Sequence, residues 1–197
     1  MTAPRPVRER VLDAAAGLTV ENGWGAVTMG KVAGIAGVSR QTVYNEYGTK
    51  PGLGLAMVLR ELDRFLAVVA RELDEADDLV TAIRSAAEKT LLMARENPLL
   101  HTVLASAHSV SAGGSGADNE LLPFLTTDAG PLIDSAKTVI LQRLEQFPDL
   151  GLDDKQLDAA TDAIVRLVLS HVMQPGGTPG RTADDLGWIV ERVLRQV

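Results

Sequence analysis

The chain has no cysteine, which excludes both disulfide staples and thiolate metal sites. Aromatic residues make up 4% of its 197 residues, so Ala, Leu and Val must fill any core. No segment shows the sustained period-two alternation of β-branched and aromatic residues that a sheet needs, and small aliphatic side chains favour helix packed closely on helix. The expected fold class is all-α. No run approaches the roughly 18 apolar residues that suggest a membrane span, and the opening MTAPRPVRER leads into charged helix instead of an apolar signal core. A soluble, cytoplasmic protein with no membrane partner is expected. Also missing are a glycine-rich phosphate loop, a GxSxG elbow, an HExxH pair and a cysteine nucleophile. With the carboxylates on what read as solvated helix faces, the chain is not expected to be an enzyme; it offers no candidate catalytic residue and implies no cofactor.

The formal charge of −7 is unevenly placed. Through residue 50, Arg5, Arg8, Arg10, Lys31, Arg40 and Lys50 outnumber Glu9, Asp13, Glu21 and Glu46 by two, so the remainder carries −9. A mildly basic head on an acidic body can place cations at DNA while the body avoids unspecific contact with it. An acidic body that simply aids solubility accounts for the same numbers.

The most informative stretch is Val27 to Lys50, VTMGKVAGIAGVSRQTVYNEYGTK. Thr28 is placed to cap a short helix with Val32, Ala33 and Ala36 inward, and Gly37 can end it at positive φ. Ser39 caps a second helix, Arg40 to Glu46, while Val38 plugs the corner between the two and Val43 faces the core. Arg40, Gln41, Thr42, Tyr44 and Asn45 are left on its exposed face. Such side chains can donate to phosphate oxygens or base edges, and a helix of this size fits the major groove. This is a helix-turn-helix reading. A preceding helix along Val7, Val11, Ala15 and Leu18, ending near Asn22-Gly23, supports the pair, and Trp24 packs beneath them as core. Residues 1–6 form an arm whose Arg5 can reach a phosphate, although a merely disordered arm is the plainer account.

Thr28, Val32-Ala33, the run AGVS at Ala36 to Ser39, Thr42-Val43-Tyr44, Tyr47-Gly48 and Thr49-Lys50 together resemble the DNA-binding segment of TetR-family transcriptional regulators. The resemblance covers roughly residues 7 to 55. It implies an N-terminal three-helix DNA-binding head, residues 1–50, on a larger helical body, residues 51–197, that binds ligand and dimerises. About nine helices are expected in all. Thr28, Tyr44, Asn45 and Lys50 are the candidate phosphate contacts, and Arg40, Gln41 and Thr42 the candidate readers of base edges, with arginine to guanine and glutamine to adenine favoured. Ser39 joins the DNA-binding set at the helix start. Tyr47 either joins it or packs against the first helix. Thr49 can cap the connecting helix, with Lys50 in its first turn where ammonium and helix amides approach one phosphate. The chain departs from the family's pattern at Pro51-Gly52, where an acidic and a small residue are common. Proline suits a first turn, whereas Gly52 supplies no side-chain cap and is expected to loosen the hinge.

In the body, the connecting helix runs from Leu53 to about Asp74, and Asp77-Asp78 starts another through Leu79, Ile83, Ala87, Thr90-Leu91 and Ala94. Pro98 opens a third, to about His108. The small and polar stretch at 109–119 reads as a mobile loop able to lie over an opening into the body. A helix-like segment resumes at Glu120, is interrupted by Pro123 and Gly130-Pro131, and runs to Phe147. Asp153 or a neighbour caps the next helix, which becomes apolar on more than one side and so needs two partners. After Pro175-Gly176-Gly177, Thr182 caps a last helix with Leu186, Ile189-Val190, Val193-Leu194 and Val197 on its stripe.

One recognition helix reads only a few base pairs, so specificity calls for a twofold pair on a palindromic double-stranded operator. The resemblance implies a homodimer, and the apolar stripes of the last two helices are the candidate interface; stripes that merely close the monomer core are the blander account. The resemblance also implies a small-molecule cavity in the body. An apolar lining with scattered polar groups, Thr90, Asn97, His101, Phe124, Gln142 and His171, suits a small lipophilic effector with one polar end. His101 and His108 can share a helix face, but without cysteine or a firm carboxylate pattern no metal site is assigned. The competing reading is a helical adaptor that binds protein through its acidic body and uses the head only for packing.

Overall fold

The computed structural model describes residues 5–110, 120–147 and 150–194, and their side chains except at 106–110 and 194. The described residues form nine α-helices with short 3-10 turns and no strand, an all-α fold. None of these helices is long and apolar enough to cross a membrane. They divide into two compact units, each drawn from two separate stretches of chain: Met1–Glu61 with Asn97–Ala129, and Leu62–Glu96 with Gly130–Val197.

The first unit opens with α1 (Val7–Asn22), a 3-10 turn (Trp24–Ala26), α2 (Met29–Ala36) and α3 (Arg40–Tyr47). It continues with the start of α4 (Lys50–Glu75), then α6 (Pro98–Val110) and a 3-10 turn at Leu122–Leu125. Its core is aliphatic around one indole: Val11, Ala15, Trp24, Val27, Val32, Val43, Leu53, Met57 and Leu121 are all sealed from solvent. Thr19 is buried among them because its hydroxyl returns a 2.7 Å hydrogen bond to the Ala15 carbonyl, leaving no polar group unmatched. Helix α1 buries Val11, Leu12, Ala14, Ala15 and Thr19, while the predicted first residue of its stripe, Val7, is exposed at the helix end.

The second unit holds the rest of α4, α5 (Leu79–Glu96), α7 (Gly130–Leu144), α8 (Asp154–Met173) and α9 (Pro179–Leu194). Leu73, Leu79, Ala82 and Leu144 form one core cluster, and Ala87, Ala183 and Leu186 a second where α5 packs on α9. Local chemistry sets the helix starts. Asp78 accepts from the Thr81 amide, and Asp153 and Gln156 close a reciprocal capping box at the head of α8. Pro131 opens α7 instead of interrupting a longer helix, since a first-turn residue needs no amide donor.

Four boundaries differ from expectation. Helix α9 begins at Pro179, and its Arg181 amide is capped by Thr178, so Thr182 is a buried residue of the first turns and not the cap. A threonine followed by proline satisfies the cap and presets φ at once, and this outweighs the later threonine. Helix α7 ends at Leu144, three residues before Phe147, and Glu120 lies in a turn that leads only to the 3-10 element at Leu122–Leu125. Helix α6 continues to Val110, two residues into the loop expected at 109–119; the rest of that stretch lies outside the described residues, as do Val197, the arm before Arg5 and the His108 side chain.

Candidate nucleic-acid interface

Helices α2 and α3 are joined by three residues, Gly37, Val38 and Ser39, whose chemistry fixes the angle of the turn. The Thr28 hydroxyl accepts the Lys31 amide at 3.3 Å and starts α2. Gly37 ends it at φ 65°, donating its amide back into the helix, a conformation that costs other residues a Cβ clash. Ser39 Oγ then accepts the Thr42 amide at 3.0 Å and also pairs with the Thr42 hydroxyl at 2.8 Å. Val43 is wholly buried and is the residue that anchors α3 to the unit.

With that anchor inward, the other face of α3 is polar and open. Arg40, Gln41 and Asn45 are exposed, and Thr42 and Tyr44 half-buried. Their side chains run in two rows along the helix. Arg40 donates to the Tyr44 hydroxyl at 3.2 Å and stacks its guanidinium 5.3 Å from the ring centre. Gln41 donates to Asn45 Oδ1 at 2.8 Å. Five residues assigned to DNA from sequence therefore share one surface, while Thr28 and Ser39 lie at the starts of the two helices with their hydroxyls engaged as caps.

Tyr47 and Lys50 sit differently. The Tyr47 hydroxyl donates to the Arg8 carbonyl of α1 at 3.1 Å, and burial is the main cause holding its pKa above the ordinary tyrosine range. This is the packing arm of the two alternatives for that residue. Lys50 stands in the first turn of α4, where the Thr49 hydroxyl accepts the Gly52 amide at 3.1 Å. Its ammonium lies over Trp24, 5.0 Å from the ring centre, and 3.8 Å from Glu120 Oε2. Trp24 in turn donates its indole N–H to that same oxygen at 3.0 Å. Sequence reasoning placed Trp24 in the core and overlooked its polar edge; a buried indole needs an acceptor, but nothing local names Glu120 as the one.

Gly52 does something other than loosen a hinge. A Cβ built there would lie 2.3 Å from the Tyr47 carbonyl oxygen, so the missing side chain lets α3 and α4 close tightly. Gly54, a little further along, leaves room for Leu121 and Trp24.

The six polar candidates of the body are divided between the units. Asn97, His101 and Phe124 fall in the first; Thr90, Gln142 and His171 in the second. Asn97 is engaged, accepting the Leu100 amide at 2.9 Å and donating to Glu61 at 3.1 Å. His101 and Gln142 are exposed, Phe124 is half-buried in a 3-10 turn, and His171 shares a hydrogen bond with the Leu167 carbonyl of its own helix. Thr90 alone of the six is buried with a hydroxyl lacking any partner. Among the described residues no three His, Asp or Glu side chains gather as metal ligands would.

Comparison with known proteins assigns both parts of the chain. Residues 11–57 match the family model described as bacterial regulatory proteins, tetR family, and residues 78–192 that of the bacterial tetracyclin repressor C-terminal domain. An HTH-type transcriptional regulator, AlkX, of Mycobacterium tuberculosis is 31% identical over 187 residues, covering 93% of this chain and 83% of the relative. The crystal structure of a TetR family repressor, AlkX, from a Dietzia species, implicated in biodegradation of n-alkanes, superposes with a TM-score of 0.75 at 26% identity, covering 98% of this chain and 99% of that one. GusR of Salmonella enterica shares the fold, with a TM-score of 0.62 at 20% identity over 99% of this chain and 98% of its own.

Proposed function

This chain belongs to the TetR family of transcriptional regulators, which are DNA-binding proteins and not enzymes, and from that premise we propose that it is a ligand-responsive repressor. In this reading it acts in the cytoplasm as a homodimer on a palindromic operator, with DNA reading in residues 1–50 and pairing and effector binding in residues 51–197. The observation that carries the DNA-reading part is the polar face of α3 set on the buried anchor Val43. Arg40, Gln41 and Thr42 are its base readers, and Thr28, Tyr44, Asn45 and Lys50 its phosphate contacts.

Pairing through α8 and α9 is supported by what those helices leave uncovered. Leu186 and Val190 of α9 are buried within the unit, whereas Ile189 and Val193 are 37% and 42% exposed; Trp188 of α9 and Leu167 of α8 are exposed too. Four large apolar side chains on two adjacent elements are a surface that a second copy can cover.

A small lipophilic effector is the favoured ligand, since the Dietzia relative is implicated in n-alkane biodegradation. The unpartnered Thr90 hydroxyl, in a unit whose two core clusters are aliphatic, is the candidate contact for a polar end of that effector. The effector must favour the arrangement that misfits DNA, and operator release cannot exceed its difference in affinity for the two arrangements. The test is a duplex selected by the purified protein from a random-sequence pool, titrated with alkanes, fatty acids and acyl thioesters. Release by one class supports the reading; retention against all of them removes ligand control, and no selection of any duplex removes DNA reading.

A further inference from the structure

The cation assigned to phosphate at the start of α4 is already occupied by an anion of the same chain. Glu120 Oε2 lies 3.8 Å from Lys50 Nζ, and only 24% of the lysine side chain is exposed. The carboxylate is no wandering surface group, because the same oxygen accepts the indole N–H of Trp24 at 3.0 Å, and Trp24 is 2% exposed. Leu121, the next residue, is sealed in the core. A Cβ on Gly54, one turn beyond Lys50, would lie 2.7 Å from Leu121 Cδ2 and 3.0 Å from Trp24 Cζ2. The segment beginning at Glu120 is thus seated on the first turns of α4, with its carboxylate directed at the ammonium that those turns present.

We propose that Glu120 is an internal competitor for the DNA phosphate: it holds Lys50 against Trp24 in the free protein and sets how tightly the head grips an operator. The inference rests on the reading of Lys50 as a phosphate contact. When a phosphate arrives, one of two things follows. Either the ammonium leaves Glu120, forfeiting the ion pair and part of its contact with the indole face, or it stays and brings the phosphate beside a carboxylate of like charge. Both lower affinity. The indole hydrogen bond keeps Glu120 in place through this exchange, so the competition does not fade by the carboxylate turning to solvent.

Because the pair is partly exposed, it is worth roughly a two- to fivefold change in affinity per head. Glu120→Gln removes the charge and retains a carbonyl oxygen for the indole. Binding is measured over a salt series on a duplex selected by the wild-type protein, beside a scrambled duplex of equal composition. The expected result is tighter binding by that factor and a steeper dependence of log K on log salt, approaching one further phosphate or about 0.9 per head. In a Lys50→Met background, which keeps an aliphatic stem over Trp24, Glu120→Gln should change neither quantity. Equal or weaker binding by Glu120→Gln, in protein of unchanged helical circular dichroism and thermal midpoint, overturns the proposal. So does a gain that persists with Lys50→Met, since the carboxylate would then act only through the general field. If Lys50→Met binds as tightly as wild type, the phosphate role itself fails, and the competition with it.

Discussion

Replacing Gly52 by alanine should destabilise the protein, although the same change in most helices does the opposite. Alanine in place of a helical glycine ordinarily gains about 0.5–1 kcal/mol, through backbone entropy in the unfolded chain and better helix propensity. Gly52 lies in the first turn of α4, where only part of that gain is available, and its new Cβ would come 2.3 Å from the Tyr47 carbonyl oxygen and 3.4 Å from Thr49 Oγ1. The first contact is with backbone, so no side-chain rotation relieves it; α3 and α4 must separate, at an overpacking cost of about 1–3 kcal/mol. The net expectation is a loss of about 1–2 kcal/mol, which in a chain of this size lowers the thermal midpoint by roughly 2–8 °C. Gly34 in α2 provides the internal comparison, because nothing lies within 4 Å of a Cβ built there. Gly34→Ala should therefore raise the midpoint. Both variants are measured by thermal circular dichroism at one protomer concentration, since pairing makes the midpoint concentration-dependent. Gly52→Ala also shifts Tyr47, and with it the exit of α3, so operator affinity should fall further than stability alone requires. Equal gains at the two positions would refute the close approach of α3 and α4.

Ser39→Ala removes the cap of α3 and should cost about 1 kcal/mol in urea denaturation, with weaker operator binding because the first turn carries Arg40, Gln41 and Thr42. Ile189→Asp, at a position 37% exposed in the single chain, should leave the fold intact yet shift sedimentation from dimer to monomer at micromolar concentration; a variant that stays paired places the interface elsewhere. Glu72 is buried in the second unit, where Lys89 at 2.5 Å and Ser85 at 2.7 Å hydrogen-bond its carboxylate and hold its pKa below the ordinary range, against the opposing pull of burial. A carboxyl lowered on folding contributes fully above its unfolded value, about 4.3, and loses that contribution as pH falls toward the folded value. The stability advantage of wild type over Glu72→Gln should accordingly shrink as urea denaturation is repeated from pH 6 down through about pH 4. An advantage that is flat with pH would show that the carboxylate is not what Lys89 and Ser85 stabilise.

What could be read from the chain alone was whatever neighbours in sequence decide. The Thr28 and Ser39 caps, the positive-φ Gly37 and the buried Val43 are each set within four residues, and all are found in the structure. Capping at Asp78 and Asp153 is legible for the same reason. The misreadings share the opposite feature. Gly52 looked like a slack residue because its partner, the Tyr47 carbonyl, is a backbone atom brought near by the turn and not by a pattern of side chains. Glu120 carried no signal at all, since its partners Trp24 and Lys50 are met only after α6 has returned the chain to the first unit. The α9 stripe was seen but not divided: Leu186 and Val190 are buried while Ile189 and Val193 are partly exposed, and periodicity by itself cannot say which half is covered within the chain.

The polar face of α3 also bears on how the proposed reading gains its selectivity. Arg40 is engaged with Tyr44 and Gln41 with Asn45, so a base edge or phosphate has to displace a partner that each side chain already holds. Such exposed pairs four residues apart are worth only about 0.2–0.5 kcal/mol each, whereas a good bidentate contact discriminates against a wrong base by about 1–3 kcal/mol. The exchange is therefore favourable at a matching base and close to neutral at a mismatched one, where Arg40 and Gln41 keep their intrahelical partners without loss. Rotamer order already present in the free helix reduces the entropy that binding must still remove. On this account Tyr44→Phe, which removes the hydroxyl that Arg40 donates to but keeps the ring it stacks on, should weaken the matched duplex less than the mismatched one, because Arg40 then gives up no hydrogen-bond partner at the matching base. Equal weakening on both duplexes would assign Tyr44 to phosphate alone.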